Sequence, residues 1–294
     1  MFAQATHTGQ ATGLTIVLLL VLMLLLAGTT GCQSSPSQVQ PLTGSFGDDL
    51  QFLQSHTETI VLSDASGQAR IAIAPDYQGK VMTSTAGGDS GLSFGWINRE
   101  LISSGEKAAH INTFGGEDRF WLGPEGGQFS IFFKQGDLQE GDPFDFELWQ
   151  TPEPIDWGAW EVSKATRRMV TLRKPTTITN LSGFTFNIEI NRIIRLLDPP
   201  LAERYLGMEI PEDVNYVAYQ SDNRVTNLGD VAWTKDTGML SIWILGMFNP
   251  SPATTVVVPF KAADVPQEEI VNDAYFGKVP AERLIVEPTK GVLY

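Results

Sequence analysis

The stretch His110–Phe133, HINTFGGEDRFWLGPEGGQFSIFF, decides how the rest of the chain is interpreted. It contains two glycine pairs, Gly115-Gly116 and Gly126-Gly127, and glycine permits positive backbone φ angles and close approaches that other residues resist. Between and beside the pairs stand a cation, three carboxylates and an indole: Arg119, Glu117, Asp118, Glu125 and Trp121. This concentration of polar groups between two turns favours a ligand-facing loop. The alternative is a β-hairpin whose charged side chains are simply solvated.

Most of the chain after Thr57 has the composition of short β-strands separated by Gly, Pro, Asp and Asn. The segment Phe184–Leu197 alternates most clearly, with Phe184, Phe186, Ile188 and Ile190 on one face and a shift of face at Asn191. The other predicted strands are Glu58–Asp64, Ala69–Pro75, Lys80–Thr85, Gly91–Ile97, Phe129–Lys134, Arg168–Arg173, Thr176–Asn180, Tyr216–Gln220, Leu240–Met247, Thr254–Pro259 and Leu284–Glu287.

Three short helices interrupt this pattern. We predict one over Asp48–His56, capped by Asp48 or Asp49, because an acidic start precedes spaced leucines. Asp198-Pro199-Pro200 opens a second helix that runs through Tyr205 and stops at Gly207. One or two helical turns are expected within Asp264–Asn272. The sequence therefore predicts an all-β sandwich with a few short helices, in one domain over residues 57–294.

The N-terminal segment predicts export. The apolar run Leu14–Ala27 has the length of a signal-peptide core, and the following Gly31-Cys32 resembles the lipobox of bacterial lipoproteins. We expect residues 1–31 to be a lipoprotein signal peptide, Cys32 to be acylated, and residues 32–56 to form a tether and a short N-terminal segment. An uncleaved anchor is the alternative. Either way the protein is expected outside the cytoplasm at a membrane surface.

Charge and composition exclude several classes of partner. The chain has 34 Asp and Glu against 20 Lys and Arg, a net charge of −14, so phosphate backbones repel it and nucleic-acid binding is not expected. A single cysteine excludes an internal disulfide and a thiolate cluster. The histidines, His7, His56 and His110, are too scattered for a metal site. We predict no metal and no cofactor.

Several pieces of the chain carry a family resemblance: IAIAPDYQGKVMTST from Ile71, FGWINREL from Phe94, and NTFGGEDRFWLGPEGGQFSIFF from Asn112. They resemble the galactose mutarotase-like β-supersandwich of the aldose 1-epimerase superfamily, and more specifically a group of uncharacterised bacterial lipoproteins of that type. The resemblance implies a carbohydrate cleft entered by a glycine-containing hairpin. The chain carries fewer strands than that fold usually needs, so we expect the sandwich to be incomplete at its C-terminal end.

The catalytic residues of that family do not carry over. Its central histidine has no counterpart, since no histidine follows His110, and its late glutamate would have to be Glu282 or Glu287. Three residues remain catalytic candidates: His110, Glu117 and Glu125. The predicted ligand-binding residues are Asn112, Glu117, Asp118, Arg119, Trp121, Glu125 and Arg99.

These observations favour a lipid-anchored extracytoplasmic protein that binds carbohydrate. Two alternatives stay open. One is a sugar-active enzyme of epimerase, lyase or hydrolase type that uses carboxylates, and the other is a structural envelope lipoprotein with a degenerate site.

Overall fold

The computed structural model describes residues 44–139, 141–273 and 277–294. The predicted signal peptide, Cys32 and most of the tether fall outside the described residues. Within the described part of the chain, no helix has the length and apolar character needed to cross a membrane.

Short antiparallel strands dominate the described residues. In chain order they are β1 Ile60–Ser63, β2 Arg70–Ala74, β3 Lys80–Thr85, β4 Arg119–Gly123, β5 Glu161–Ala165, β6 Met169–Thr179, β7 Thr185–Leu196, β8 Tyr219–Asn227, β9 Ser241–Leu245, β10 Val258–Pro259, β11 Val286–Glu287 and β12 Val292–Leu293. The helices are α1 Phe46–His56, α2 Arg99–Ser104, α3 Glu153–Asp156, α4 Pro199–Leu206 and α5 Gln267–Ile270, with 3-10 turns at Pro75–Tyr77, Ala281–Arg283 and Pro288–Lys290. The strands form four sheets, in the orders β1-β2-β3, β4-β9, β5-β6-β7-β8 and β10-β12-β11. The prediction of an all-β protein is confirmed.

Three of these sheets contribute to the main hydrophobic core. The β1-β2-β3 sheet contributes Leu62, Ile71, Ile73 and Val81 on one face, and the four-stranded sheet contributes the inward residues of β6 and β7. Phe120, Trp121 and Leu122 of β4 also lie in this core, so the whole of β4 is buried. This burial explains why the centre of the His110–Phe133 stretch is a strand and not an exposed hairpin tip.

The other face of the β1-β2-β3 sheet is covered by α1. Phe46, Leu50 and Leu53 of the helix pack in a second apolar cluster with Ala72, Ala74 and Met82 of the sheet. Burying side chains of this size contributes about 2 kcal/mol each.

The start of α1 differs from the prediction. The cap is Ser45, which lies before both predicted aspartates. Its side chain accepts a hydrogen bond from the Asp48 backbone N–H, and the Asp48 carboxylate accepts one from the Ser45 N–H. This reciprocal capping box satisfies two backbone donors that the first helical turn leaves open, so Asp48 takes part as the third helical residue.

The long strand β7 confirms the alternation but corrects its end. The predicted shift of face at Asn191 is wrong, because every second residue from Phe186 to Leu196 is buried. Arg192 occupies an inward position with no exposed surface. A charged residue is tolerated there because it is paired with a carboxylate, as described below.

Other strand predictions also need correction. The predicted strands Arg168–Arg173 and Thr176–Asn180 are one continuous strand, β6, which runs through Pro175. Its neighbour β5 pairs only as far as Arg173, so Pro175 stands where β6 has one neighbour and a missing donor is tolerated. Phe129–Lys134 forms no strand, and Gly91–Ile97 makes isolated bridges only. The predicted helix after Asp198 and its stop at Gly207, with a φ of 71°, are confirmed.

Candidate functional site

The first glycine pair lies in close contact with the segment around Trp96 and with β3. Gly115 and Gly116 have φ angles of 90° and 105°, which other residues rarely adopt. A Cβ on Gly115 would overlap the Trp96 carbonyl group, and one on Gly116 would lie 2.5 Å from Lys80 Cδ. Glycine is therefore required here, because a side chain would push these segments apart.

Glu117, directly after this pair, is buried in a hydrogen-bonded position. Its side chain accepts hydrogen bonds from the Ser84 backbone N–H at 2.6 Å, from the Ser84 hydroxyl at 2.9 Å and from the Tyr219 hydroxyl at 3.2 Å. Only 5% of the residue is exposed. Burial raises the pKa of the Glu117 carboxyl to about 7, against the opposing effect of these hydrogen bonds. The carboxyl can thus gain or lose a proton near neutral pH.

Asp118 points to a different set of partners, on β7 and β8. It forms a buried ion pair with Arg192 and accepts a hydrogen bond from the Ser221 hydroxyl at 2.8 Å. Arg192 also donates to Asn223 Oδ1 at 3.0 Å and to the Asp118 backbone carbonyl at 2.8 Å. These contacts neutralise the charge of the fully buried guanidinium.

Arg119 is the centre of a second buried pair. Its Nη2 lies 3.0 Å from Asp156 Oδ1, and Asp156 also accepts hydrogen bonds from the Asn112 backbone N–H at 2.7 Å and side-chain amide at 2.6 Å. The guanidinium carbon lies 4.3 Å from the centre of the Trp121 ring. Burial lowers the pKa of Arg119 to about 10, with Asp156 acting in the opposite direction, so the group stays charged at neutral pH.

Lys80 connects these pairs electrostatically. It is fully buried against Gly116, and burial, followed by the nearby charge of Arg119, holds the pKa of its amine well below the ordinary value. Among the described residues, Lys80 Nζ has no hydrogen-bond partner, and neither do Arg119 Nε and Nη1 or Arg192 Nε. We call the set Lys80, Ser84, Asn112, Glu117, Asp118, Arg119, Asp156, Arg192 and Tyr219 the buried polar cluster.

Gln78, two residues before Lys80, has a positive backbone φ angle although it is not a glycine. It is fully buried, its φ is 65°, and both polar atoms of its side chain have no partner among the described residues. A residue other than glycine in this conformation stores strain of about 1 kcal/mol or more, which the surrounding packing must offset.

The second glycine pair lies in a different environment. Gly127 has a φ of 77°, but a Cβ on Gly126 or Gly127 would meet no atom within 4 Å. The pair lines an open cavity of about 660 Å³ together with Gln128, Phe133, Leu138, Gln139, Gly141, Asp142, Phe144, Leu181 and Ser182. Phe144 is 63% exposed and meets the Phe133 ring edge to face at 5.8 Å. We call this space the glycine-turn cavity.

The structure separates the predicted site residues into groups. Asn112, Glu117, Asp118 and Arg119 come together in the buried polar cluster. Trp121 is 2% exposed, packs on Trp243 at 5.8 Å, and donates from Nε1 to Glu125 Oε1 at 2.6 Å. These two residues form a pair next to the glycine-turn cavity and do not line it. Their role in ligand binding stays a prediction.

Arg99 and His110 lie in surroundings of their own. Arg99 pairs with Asp49 of α1, at 3.2 Å from Nε to Oδ1, and covers the Phe52 ring. His110 Nδ1 lies 2.8 Å from the Trp149 carbonyl oxygen and 2.7 Å from Gln150 Nε2. Both residues therefore have structural contacts in the described part of the chain, and ligand contacts from them stay predictions.

The sequence did not single out Lys80, Asp156, Arg192 or Tyr219 as site residues. One signal was available for Arg192, since it is a charged residue at an inward position of an alternating strand. The others carry no local mark. No group of three or more His, Cys, Asp or Glu side chains among the described residues is placed to hold a metal ion.

Comparison with solved structures finds the crystal structure of the Slr1438 protein from Synechocystis sp. PCC 6803, which is 20% identical to this chain and has a TM-score of 0.35. The match covers 59% of this chain and 50% of that one, so the chain spans half the length of the structure it matches. Comparison with curated proteins finds no match. The sequence profile of a family described as "Family of unknown function (DUF6786)" matches residues 44–294. This match covers most of the chain, and the protein therefore belongs to the DUF6786 family.

Proposed function

We propose that this protein binds carbohydrate in the glycine-turn cavity, and that its strands form a mutarotase-like supersandwich. In the same proposal, an acylated Cys32 holds the protein at a membrane surface outside the cytoplasm. The observation that carries the binding site is the cavity itself, in which an exposed aromatic ring lies among amide, carboxylate and hydroxyl side chains.

The chemistry of the cavity fits a sugar. A sugar ring has an apolar C–H face and a rim of hydroxyl groups that both donate and accept hydrogen bonds. The exposed ring of Phe144 offers a surface for the apolar face. Gln128 and Gln139 each carry a donor and an acceptor, and Asp142 supplies an acceptor for hydroxyl groups. A volume of about 660 Å³ lies in the range of pockets that bind small ligands.

The glycine turn supports this use of the cavity. No atom lies within 4 Å of a Cβ placed on Gly126 or Gly127, so the backbone of the turn is open to a ligand that approaches from the cavity. The turn is also held in place, because the Ser130 hydroxyl donates to the Glu125 carbonyl at 2.6 Å and Ser130 is fully buried. A fixed, open turn of this kind presents backbone groups to a ligand at low entropic cost.

A glycan array probed with the purified full-length chain tests the proposal, followed by titration calorimetry with the best binder. Phe144→Ala removes the stacking surface, so we expect it to weaken binding roughly tenfold. Phe146→Ala is the matched control, because Phe146 is 49% exposed in the same loop but does not line the cavity. Equal loss in both variants, or wild-type binding in Phe144→Ala, contradicts the proposed site. No glycan binding at all favours the structural envelope protein.

The buried polar cluster favours a second candidate, a sugar-active enzyme that uses carboxylates. The supporting observation is Glu117, whose pKa of about 7 suits an acid or base that works near neutral pH. A polarimetric mutarotation assay, run on the same sugars, tests this reading. Loss of activity in Glu117→Gln with unchanged glycan affinity supports the enzyme, whereas full activity in that variant excludes Glu117 as its catalytic carboxyl.

A further inference from the structure

Another open groove lies against α4, and Tyr219 is one of its lining residues. It has a volume of about 690 Å³ and is lined mainly by apolar side chains of α4, of the following loop and of the start of β8. Its lining includes Tyr205, Leu206, Met208, Glu209 and Tyr216. We call this space the α4 groove.

The apolar side chains of the α4 groove project into solvent. Tyr205 is 61% exposed, and Leu206 and Met208, which flank Gly207, are each 62% exposed. All three large apolar residues line the same groove, and exposed apolar surface of this kind marks interaction sites. Because these side chains project into solvent and do not wall a closed cavity, the groove fits one face of a long partner segment better than a small enclosed ligand. Methionine adds an adaptable contact.

The surroundings of the α4 groove are strongly acidic. Residues 198–214 contain five carboxylates and one cation, Arg204, whereas the whole chain has 34 carboxylates in 294 residues. Glu209 lines the groove, and Glu212 and Asp213 are exposed in the same loop. The density of negative charge around the groove is therefore higher than the average over the whole chain.

Tyr216, which also lines the groove, lies in the same negatively charged environment. Burial raises the pKa of the Tyr216 hydroxyl, and the charges of Glu203, Asp64 and Asp198 raise it further, with Arg168 opposing. Carboxylates from α4, from its cap and from the loop after β1 thus surround a residue that lines the groove. The single cation Arg168 does not balance the three carboxylates that act on Tyr216.

We infer that the α4 groove binds a basic amphipathic peptide segment, whose apolar face packs on Leu206 and Met208 and whose Lys or Arg side chains meet Glu209, Glu212 and Asp213. This interaction goes beyond carbohydrate binding and does not depend on it. An apolar groove with an acidic rim is complementary to a helix that has one apolar and one cationic face. It is not complementary to an anionic membrane, whose surface would be repelled by the same carboxylates.

Fluorescence polarisation with the full chain tests the proposal. The probes are two labelled synthetic peptides of equal length with leucine on one face, one carrying lysine and the other glutamate on the opposite face. We expect the lysine peptide to bind at least about tenfold more tightly, and to lose affinity as salt is raised. Equal binding of both peptides, or no binding of the lysine peptide, overturns the proposal.

Variants locate the contact. Leu206→Asp places a charge on the exposed apolar patch, so we expect binding to weaken roughly tenfold, while Val231→Asp, at a site that is also 62% exposed, leaves it unchanged. The triple change Glu209→Lys, Glu212→Lys and Asp213→Lys should weaken it by at least as much. Its control reverses three exposed carboxylates elsewhere, Glu106, Glu147 and Glu269. Circular dichroism confirms the fold of each variant.

Lipid vesicles distinguish the remaining occupant. The chain is mixed with vesicles of neutral phosphatidylcholine. If the wild type binds them, Leu206→Asp does not, and the lysine peptide fails to compete, the exposed apolar side chains contact a membrane surface. That result overturns the peptide proposal. Wild-type peptide affinity in both Leu206→Asp and the triple rim variant also overturns it, because the peptide would then bind elsewhere.

Discussion

The two glycine pairs have the same composition and are separated by nine residues in the sequence, but they have different roles in the fold. The first pair, Gly115-Gly116, lets the segment before β4 press against Trp96 and Lys80 and positions the buried polar cluster. The second pair, Gly126-Gly127, forms a turn beside an open cavity, with no neighbour within 4 Å of either missing side chain. A glycine pair in a sequence therefore indicates only that the backbone can adopt unusual conformations. The packing around the pair determines whether this allows close contact between segments or leaves the turn open to solvent.

The largest expected effect separates the two pairs directly. Gly115 and Gly127 both have positive φ angles, 90° and 77°, so an alanine is strained at either position. Only at Gly115 does the new Cβ also overlap a neighbouring carbonyl group. We expect Gly115→Ala to lower the free energy of unfolding by about 5 kcal/mol and Gly127→Ala by about 1 kcal/mol. Urea denaturation measures both. Similar losses would remove the distinction between the pairs.

A slightly smaller effect is expected when the buried ion pair between Arg119 and Asp156 is broken. Asp156→Ala leaves the buried guanidinium of Arg119 without its counter-charge, which costs about 4 kcal/mol of unfolding free energy. Asp142→Ala removes an exposed carboxylate at the glycine-turn cavity and should cost less than about 1 kcal/mol. Guanidinium denaturation of the two variants tests this contrast. A stable Asp156→Ala protein would mean that Arg119 is neutralised by another group.

The pH dependence of stability comes next. The pKa of the Glu117 carboxyl rises from 4.5 in the unfolded chain to about 7 in the fold, so between these values the folded state binds more protons. Its contribution is fully present below pH 4.5 and is lost as the pH rises through 7, by about 3 kcal/mol. The amine of Lys80 acts in the opposite direction, because its pKa is lowered by burial and its contribution grows as the pH rises towards 10.5.

Comparison of variants isolates the contribution of Glu117. We expect the difference in stability between Glu117→Gln and the wild type to change across pH 4.5–7. Thermal denaturation at a series of pH values measures this difference. A constant difference across the window would show that Glu117 is ionised in the fold.

The smallest expected effect concerns the link between the two regions. Glu125→Ala removes the acceptor that Trp121 Nε1 uses at 2.6 Å, while the ring keeps its contacts with Phe132 and Trp243. A loss of about 1 kcal/mol is expected from one such hydrogen bond. The free energy of unfolding from urea titration measures it. A loss several times larger would place Glu125 in the structural core and not at its edge.

The local features of the fold could be predicted from the sequence. The alternation of β7, the proline start and glycine stop of α4, and the strands β1 to β3 all follow from patterns within a few residues. The errors arose where packing overrides the pattern. Arg192 interrupts the apolar alternation but stays inward, because the carboxylate of Asp118 neutralises it.

The buried polar cluster could be predicted only in part, because its contacts join distant parts of the chain. The sequence marks Glu117, Asp118 and Arg119 as a group but gives no sign of their partners. Tyr219 is 102 residues from Glu117 and Arg192 is 74 residues from Asp118. No local periodicity encodes such pairs, so the sequence alone did not show that these charges are buried.

Tyr219 joins two parts of the molecule that otherwise serve separate proposals. Tyr219 lines the α4 groove, and its hydroxyl donates to Glu117. A partner that moves this hydroxyl away removes a hydrogen bond that lowers the pKa of Glu117, so the carboxyl takes up protons at a higher pH. By reciprocity, protonation of Glu117 would alter the affinity of the groove for that partner by the same free energy. Binding in the α4 groove would then depend on the pH of the surrounding solution.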